Sequence, residues 1–213
     1  MNIAIFGASG ATGKLLTTRC LAAGHDVTAL LRSPANFPLS DRITVVHGSA
    51  FDHAPVLETV VGADVVLSAL GAHSPLRNEN VLPRVVPFIV DAMRQTGVRR
   101  IIVLGSAGAL PNSLDKQPAW RRWLVQNIVY NTFLKWPVAE QISQYATLSH
   151  SNLDWTMVMP PMLTNTPAHG TYRIDADALP PNGSSISRED VADFMMQQIT
   201  NPQWIKKGVY ISW

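Results

Sequence analysis

The sequence predicts an α/β fold with a Rossmann-like, doubly wound parallel sheet, helices on both faces and a small C-terminal substrate lobe. Two patterns lead to this prediction, and a glycine-rich turn near the start of the chain supports it. Short apolar runs alternate with helix-like stretches, which is the βαβ pattern of a parallel sheet. The first run, residues 3–6, is apolar throughout, which is typical of a strand that is buried on both faces.

The first apolar run, residues 3–6, is followed at once by Gly7, Gly10 and Gly13 and then by a helix-like stretch. A strand, a tight glycine turn and a helix start together suit a nucleotide pyrophosphate, because free backbone N–H groups and the helix dipole face the anion. Gly7 allows the sharp turn, Gly10 lets phosphate oxygens approach, and Gly13 lets the helix pack closely on the strand. The spacing differs by one residue from the dinucleotide fingerprint Gly-x-Gly-x-x-Gly.

The remaining elements follow in order along the chain. Strands are predicted at residues 27–31, 43–46, 63–70, 99–104, 153–159 and 209–212, with a short strand of the appended lobe at 171–175. Helices are predicted at residues 14–23, 55–61, 81–96, 120–136 and 138–150, and in the apolar run 191–199 behind an N-cap at Ser187. Because an interior proline removes a backbone hydrogen bond, one expectation is that the helix at 81–96 effectively starts at Pro87.

Composition limits the classes of protein that the chain can belong to. The 213 residues are 46% hydrophobic and carry a formal charge of +2, which predicts one folded domain over residues 1–213 and no nucleic-acid partner. No apolar stretch approaches the roughly 18 to 20 residues of a membrane span, and Met1 leads directly into the first strand, so we expect no signal peptide. The single cysteine, Cys20, favours a cytoplasmic location and a buried role. The six histidines lack ligand spacing, and we expect no metal site.

The end of the second strand indicates which dinucleotide is bound. Sites that prefer NAD usually have an acidic residue here for the ribose 2′-hydroxyl. This chain has Arg32 and Ser33, and a guanidinium beside a hydroxyl suits a 2′-phosphate. The sequence therefore predicts NADP(H) rather than NAD(H).

The ends of the third and fourth strands supply further cofactor contacts, because the carboxyl ends of parallel strands lie beside the cofactor. Ser49 or Asp52 is expected near the adenine. Leu70 and Gly71 are expected along the cofactor, and His73 follows them where it could touch a ligand.

The fifth and sixth strands lead to the predicted catalytic end of the site. Ser106 directly follows the fifth strand, so its hydroxyl could bond a substrate carbonyl or the nicotinamide. The Tyr-x-x-x-Lys pair of the short-chain dehydrogenases, a phenol acid with an assisting lysine, is absent, and Tyr145 is the tyrosine that remains as a candidate proton donor. A rigid loop wall for the nicotinamide pocket, with a cis bond as one option, is expected from Pro160, Pro161 and Met162.

Residues 120–136 contain three tryptophans and several basic residues at amphipathic spacing. Tryptophan with arginine is compatible with a membrane surface. A lid that faces the core beside the active site, or a contact between two copies of the chain, is the more common use of such a helix, and we expect one of these.

Several stretches resemble one known family. They are IAIFGASGATGK at residues 3–14, VTALLRS at 27–33, GVRRIIVLGSAG at 97–108, LDWTMVMPPMLTNTPAHGTYRI at 153–174 and ISREDVADFM at 186–195. With these motifs the chain resembles the atypical, NmrA-like short-chain dehydrogenase/reductases, and among them the biliverdin-IXβ reductase/NADPH-flavin reductase family. The resemblance implies a monomer or homodimer that transfers a hydride from NADPH to a flavin, a quinone or a tetrapyrrole.

The resemblance also implies roles for individual residues. The pyrophosphate would be held by Gly7, Ser9, Gly10, Ala11, Thr12 and Gly13, and the 2′-phosphate by Arg32 and Ser33. Ser106 would lie by the nicotinamide or substrate, and residues 160–162 would line the pocket. A histidine that the family has in the pocket falls near Tyr145 here, which leaves the substrate open.

Two other functions remain open at this level. The chain could be a non-catalytic redox sensor that binds NADP(H) and changes its affinity for a protein partner, which the lack of a recognisable acid favours. It could also be a sugar-nucleotide epimerase, although the Tyr-x-x-x-Lys pair of that class is absent.

Overall fold

The computed structural model describes residues 1–72, 74 and 76–213. Eight strands form the main sheet in the order β3-β2-β1-β4-β5-β6-β10-β8. The strands of the main sheet are β1 (Asn2–Phe6), β2 (Asp26–Leu31), β3 (Thr44–His47), β4 (Val65–Ser68), β5 (Arg100–Leu104), β6 (Asp154–Met159), β8 (Arg173–Asp175) and β10 (Lys207–Ser212). All of the strand pairs are parallel except β10 with β8.

The described residues contain six α-helices. They are α1 (Ala11–Ala22), α2 (His53–Val60), α3 (Val81–Thr96), α4 (Ala119–Leu124), α5 (Lys135–Ser149) and α6 (Arg188–Gln197). Helix α1 packs with α6, whereas α3 packs with both α2 and α5. None of the helices in the described residues combines the length and the apolar composition that a bilayer span requires.

Side chains of β1 alternate between two separate cores. Ile3 and Ile5 pack into the core that contains α1 and α6 residues, and Ala4 and Phe6 pack into the core with α2, α3 and α5 residues. This alternation explains why the run is apolar at every position, since both faces of the sheet are covered. The doubly wound α/β fold with helices on both faces is confirmed.

Helix α3 is longer than a start at Pro87 would allow. It runs without a break from Val81 to Thr96, so the expected late start is wrong. Pro87 lies on the exposed side of the helix. The carbonyl group of Pro83, which loses its helical partner to this proline, is on a side where water can reach it.

The segment predicted as one amphipathic helix at residues 120–136 is divided between α4, a π-helix and the first residues of α5. After α4 the backbone continues as a π-helix, Val125–Phe133, and α5 then begins at Lys135. The side chains of Trp120 and Trp123 are 70% and 61% exposed. These two tryptophans therefore do not face the core as the lid alternative expects, and the alternative of a contact between two copies of the chain stays a prediction.

The C-terminal region departs from the predicted separate lobe in one respect. The short strand expected at 171–175 is β8, which extends the main sheet by pairing antiparallel with β10. Only β7 (Met162–Thr164) and β9 (Ser185–Ser187) form a sheet of their own among the described residues. The peptide bonds of the described residues contain no cis bond, so the option of a cis bond in the Pro160–Pro161 loop does not occur.

Candidate functional site

A cleft of about 610 Å³ opens at the carboxyl ends of strands β1 to β4. It lies where the sheet order reverses, with β2 on one side of β1 and β4 on the other, which is the usual ligand position in such sheets. Its walls are formed by Phe6, Gly7, Ser9, Gly10, Ala11, Thr12, Leu30, Arg32, Gly48, Ser49, Ala50, Phe51, Ala69, Leu70, Gly71, Ala72, Glu79, Val81, Val85, Leu163 and Arg188.

The glycine turn has the geometry that its spacing predicts. Gly7 has a φ of +80°, in the region that favours glycine, and the Gly10 N–H donates to the Gly7 carbonyl at 3.0 Å. A Cβ at Gly13 would lie 2.0 Å from the Gly7 carbonyl oxygen. Gly7 is therefore required by the backbone of the turn, and Gly13 by the close approach of α1 to it.

The N-terminus of α1 offers backbone donors to the cleft. Gly10 is the N-cap and no side chain caps it, and the first backbone hydrogen bond into the helix runs from the Lys14 N–H to the Gly10 carbonyl. The N–H groups of Ala11, Thr12 and Gly13 precede that bond and have no partner within the helix. Uncapped donors beside a glycine turn fit a pyrophosphate.

Arg32 lies at the end of β2 and lines the cleft. The ring nitrogen Nε2 of His47, at the end of β3, lies 3.1 Å from the Arg32 carbonyl oxygen, which ties the two strand ends together. Ser33 is exposed at the start of a 3-10 turn over Pro34–Asn36, outside the described lining. The structure thus brings the predicted arginine to the cleft and leaves the predicted serine at its edge.

The end of β3 contributes four residues to the cleft wall, Gly48, Ser49, Ala50 and Phe51. Ser49 lines it as predicted, whereas the alternative, Asp52, is exposed and lies outside the described lining. Phe51 also lines the cleft, and the guanidinium carbon of Arg84 lies 4.5 Å from its ring centre. Sequence analysis missed Phe51, although its position directly after a predicted strand end was the signal that could have identified it.

Leu70 and Gly71 line the cleft beyond β4, as predicted. The third candidate of that loop, His73, lies outside the described residues. Ser106 follows β5, and its Oγ accepts a hydrogen bond from the Gly108 N–H at 3.4 Å. Among the described residues Ser106 is not part of the cleft wall, and its hydroxyl caps the short 3-10 helix Ala107–Ala109.

The loop after β6 reaches the cleft through an unpredicted residue. Pro160 is buried and its carbonyl accepts from the Ala107 N–H at 2.9 Å, which joins the ends of β5 and β6. Pro161 is half-buried and Met162 is 67% exposed, and neither is in the described cleft wall. Leu163, the next residue, does line the cleft.

Arg188 is a second arginine of the cleft that sequence analysis missed. It lies at the start of α6, and its Nη1 donates to Asn165 Oδ1 at 2.7 Å and to the Leu163 carbonyl at 3.4 Å. No local signal marks Arg188, because it reaches the cleft only when residues 163–188 fold back over the sheet.

Tyr145 lies away from the cleft. Its ring packs edge-to-face on Trp155, with ring centres 5.5 Å apart, on the side of the sheet that α5 covers. Burial raises the pKa of the neighbouring Tyr210 phenol, and Tyr130 and Tyr145 raise it further. Tyr145 is not part of the described cleft wall, and its role as a proton donor stays a prediction.

The sequence also led to expectations about Cys20 and about metal-binding side chains. Cys20 is buried beside Met196, 3.4 Å from its sulfur, and burial raises the pKa of the Cys20 thiol to about 12. A thiol with so high a pKa is not a nucleophile near neutral pH. The described residues contain no group of three His, Cys, Asp or Glu side chains arranged for a metal ion.

A glycine turn before a helix, at the switch point of a parallel sheet, defines the class of Rossmann-type dinucleotide-binding proteins. Residues 7–202 match the family model described as NAD(P)H-binding, and the chain belongs to that family. The predicted binding of a nicotinamide dinucleotide is therefore confirmed, and the preference for NADP(H) over NAD(H) stays a prediction.

Relatives identified by sequence include reductases. The chain is 24% identical over 258 residues to the reductase pytE of Aspergillus terreus, an alignment that covers 97% of this chain and 92% of that protein. It is 33% identical over 107 residues to an uncharacterised protein of Mycobacterium tuberculosis, which is 50% of this chain but only 12% of the mycobacterial protein.

Solved structures agree with the fold over the whole chain. A Burkholderia pseudomallei protein that is described as exported has a TM-score of 0.79 and 28% identity over 100% of both chains. A Veillonella parvula short-chain dehydrogenase/reductase solved in complex with NADP has a TM-score of 0.79 and 22% identity, covering 100% of this chain and 94% of that one. The anaerobilin reductase ChuY of Escherichia coli O157:H7 has a TM-score of 0.79 and 19% identity, covering 100% and 97%. At these last two identities the likeness shows the fold alone.

Proposed function

We propose that this protein is an NADPH-dependent reductase whose acceptor is a conjugated small molecule: a flavin, a quinone or a tetrapyrrole. The observation that carries the proposal is one cleft that combines the uncapped start of α1 with Arg32 at the end of β2. Reductases among the relatives support the reaction type.

The phosphate groups of the cofactor account for the cationic and donor groups of the cleft. Backbone N–H groups of residues 11–13 would bind the pyrophosphate, with the Ser9 and Thr12 hydroxyls beside them. Arg32 would bind the 2′-phosphate, with Ser33 at the edge. Arg188 lies on the same cleft wall and would add a second positive charge toward the phosphates.

The nicotinamide end would lie beyond β4, next to Leu70 and Gly71, toward Ser106 and the loop of residues 160–162. A Cβ at Gly71 would meet no atom within 4 Å, so this part of the cleft has room for a ring. NADPH, when bound, supplies a hydride, and the acceptor also takes one proton from water. The residues of the cleft contribute by orienting the two reactants and excluding water between them.

Purified protein would test the reaction directly. We expect saturable oxidation of NADPH with FMN, menadione or biliverdin as acceptor, and weaker use of NADH. Arg32→Asp should raise the Kd for NADPH at least tenfold and leave that for NADH nearly unchanged. Arg42→Asp, an equal change of charge at an exposed residue outside the cleft wall, is the matched control. Unchanged NADPH affinity in Arg32→Asp would refute the cofactor assignment.

A non-catalytic redox sensor is the second candidate, and the exposed Trp120 and Trp123 favour it, since exposed aromatic residues often bind proteins. Tight NADPH binding without turnover on any of the three acceptors would support the sensor. For the reductase we keep a cytoplasmic location and a monomer or homodimer as proposals; the single buried cysteine supports the first.

A further inference from the structure

A side pocket of about 210 Å³ adjoins the cleft. Gly71 and Ala72, which follow β4, belong to the walls of both spaces. The far wall is formed by Leu82 of α3 and by Pro137, Glu140 and Gln141 of α5. In the proposed reductase this pocket lies next to the expected position of the nicotinamide.

Glu140 brings a buried carboxylate to this pocket. The residue is 2% exposed, and its Oε2 accepts the Leu82 N–H at 3.0 Å. Its Oε1 is buried and has no hydrogen-bond partner among the described residues. An unpartnered buried carboxylate oxygen is costly, and a helix cap on α3 needs only one of the two oxygens. The second oxygen therefore points to a ligand that donates a hydrogen bond.

Gln141 provides the opposite kind of group beside it. Its Oε1 accepts a hydrogen bond from the Gln144 side-chain NH₂ at 3.0 Å. The same NH₂ group also donates to the Leu104 carbonyl oxygen at 3.2 Å. Because the Gln141 oxygen is engaged, the group that Gln141 offers to the pocket is its NH₂ donor. Glu140 and Gln141 both line the side pocket, so the pocket contains one acceptor and one donor, the two groups that an N–H next to a C=O requires.

We propose that the side pocket binds the amide edge of the acceptor, with Glu140 accepting the N–H and Gln141 donating to the carbonyl oxygen. Such an edge occurs as the imide of a flavin and the lactam of a linear tetrapyrrole, and simple quinones lack it. The inference rests on the proposed reductase function and selects among its acceptors. The pocket thus favours flavins and tetrapyrroles by one paired contact.

A matched pair of flavins tests this contact by binding. Lumiflavin has the N3–H group, and N3-methyl-lumiflavin does not. The protein, saturated with NADP⁺, is titrated with each, and flavin fluorescence quenching gives the Kd. We expect wild type to bind lumiflavin at least tenfold more tightly than the methylated analogue. In Glu140→Gln the amide oxygen can still cap α3, but an NH₂ faces the N3–H, so the ratio should fall toward one.

Glu58→Gln, the same change at an exposed residue of α2 outside both walls, should leave the ratio unchanged. If Glu140→Gln fails to fold, Gln141→Leu removes the donor instead and should also weaken lumiflavin binding. A wild-type ratio near one, a ratio that Glu140→Gln preserves, or lumiflavin binding that Gln141→Leu leaves unchanged overturns the proposal and leaves Glu140 as a cap alone.

Menadione separates this inference from the function on which it rests. Menadione has no N–H, so its reduction by NADPH in wild type tests the reductase without the side-pocket contact. Menadione turnover without lumiflavin binding would overturn the side-pocket proposal and keep the reductase. Absence of NADP⁺ binding and of all turnover would overturn both.

Discussion

A methyl group at position 13 would lie 2.0 Å from the Gly7 carbonyl oxygen, which is far inside van der Waals contact. The atoms it would meet are backbone atoms of the glycine turn, so no side chain can move aside. We expect Gly13→Ala to lower the free energy of unfolding by about 1–3 kcal/mol or more, and to weaken NADPH binding because α1 moves away from β1. Urea unfolding and a cofactor titration measure the two effects.

Gly71→Ala is the control for that prediction. A Cβ there meets open space and the residue has no positive φ, so its free energy of unfolding should stay within about 0.5 kcal/mol of wild type. Equal destabilisation by both substitutions would mean that close packing of α1 is not the cause.

Asp190 makes the fold sensitive to acid. Burial alone would raise the pKa of its carboxyl group, but hydrogen bonds from the His169 N–H, the Trp213 indole, the Ser187 hydroxyl and the Gly170 N–H outweigh burial and lower it. Since the folded pKa lies below the unfolded one, the stabilisation is complete above the ordinary pKa of about 4 and is lost as pH falls through the folded value.

We therefore expect the free energy of unfolding to decline below about pH 4, measured by urea unfolding between pH 7 and pH 2.5. Asp190→Asn should be less stable at pH 7, by roughly 1–3 kcal/mol for each buried donor left without an acceptor, and should show a shallower decline. A parallel decline in the variant would assign the acid sensitivity to other carboxylates.

Residues could be placed at the cleft from the sequence where they directly follow a strand end. Gly7 and Arg32 could be identified because each directly follows a strand whose end must face the cofactor. Arg188 and Leu163 could not, because nothing near them in sequence indicates that the loop folds back onto the cleft. Tyr145 was chosen by residue type, and the side of α5 on which it lies depends on packing against Trp155.

At the scale of elements, the strands were the easiest to predict. The side chains of the central strands β1, β4 and β5 are largely buried, so each of these strands contains a continuous apolar run. The π-helix Val125–Phe133 was hidden, because its apolar residues also fit the spacing of an α-helix. The start of α3 was also predicted wrongly, because a proline on an exposed side of a helix does not end it.

The tryptophans of this chain provide a test of element packing. Trp123 of α4 is 61% exposed, whereas Trp155 of β6 is 3% exposed. Trp123→Gln should change the free energy of unfolding by no more than about 0.5 kcal/mol, and Trp155→Ala should lower it by about 3–5 kcal/mol. Urea unfolding compares them. A large loss in Trp123→Gln would mean that α4 is covered in solution, and sedimentation velocity would then identify a dimer.

For the molecule as a whole, the cofactor should act as a stabiliser. A ligand that binds only the folded state adds about 2.7 kcal/mol at 100 times its Kd, and each kcal/mol raises Tm by roughly 2–4 °C in a chain of this size. Thermal scans should show this shift with NADPH and a smaller one with NADH at equal concentration. In Arg32→Asp the difference between the two should disappear, whereas equal shifts in wild type would contradict the preference for NADPH.

The packing of α1 against α6 has a consequence for how the protein is made. Strand β1 is central in the sheet, and α1 behind it is covered by a helix that is synthesised after most of the chain. While the ribosome is still translating, the apolar side of α1 has no partner, and the nascent chain exposes it to chaperones and to other chains. Such long-range pairing slows folding. Yield from cells should therefore depend strongly on translation speed and chaperone supply, even for variants whose purified form is fully stable.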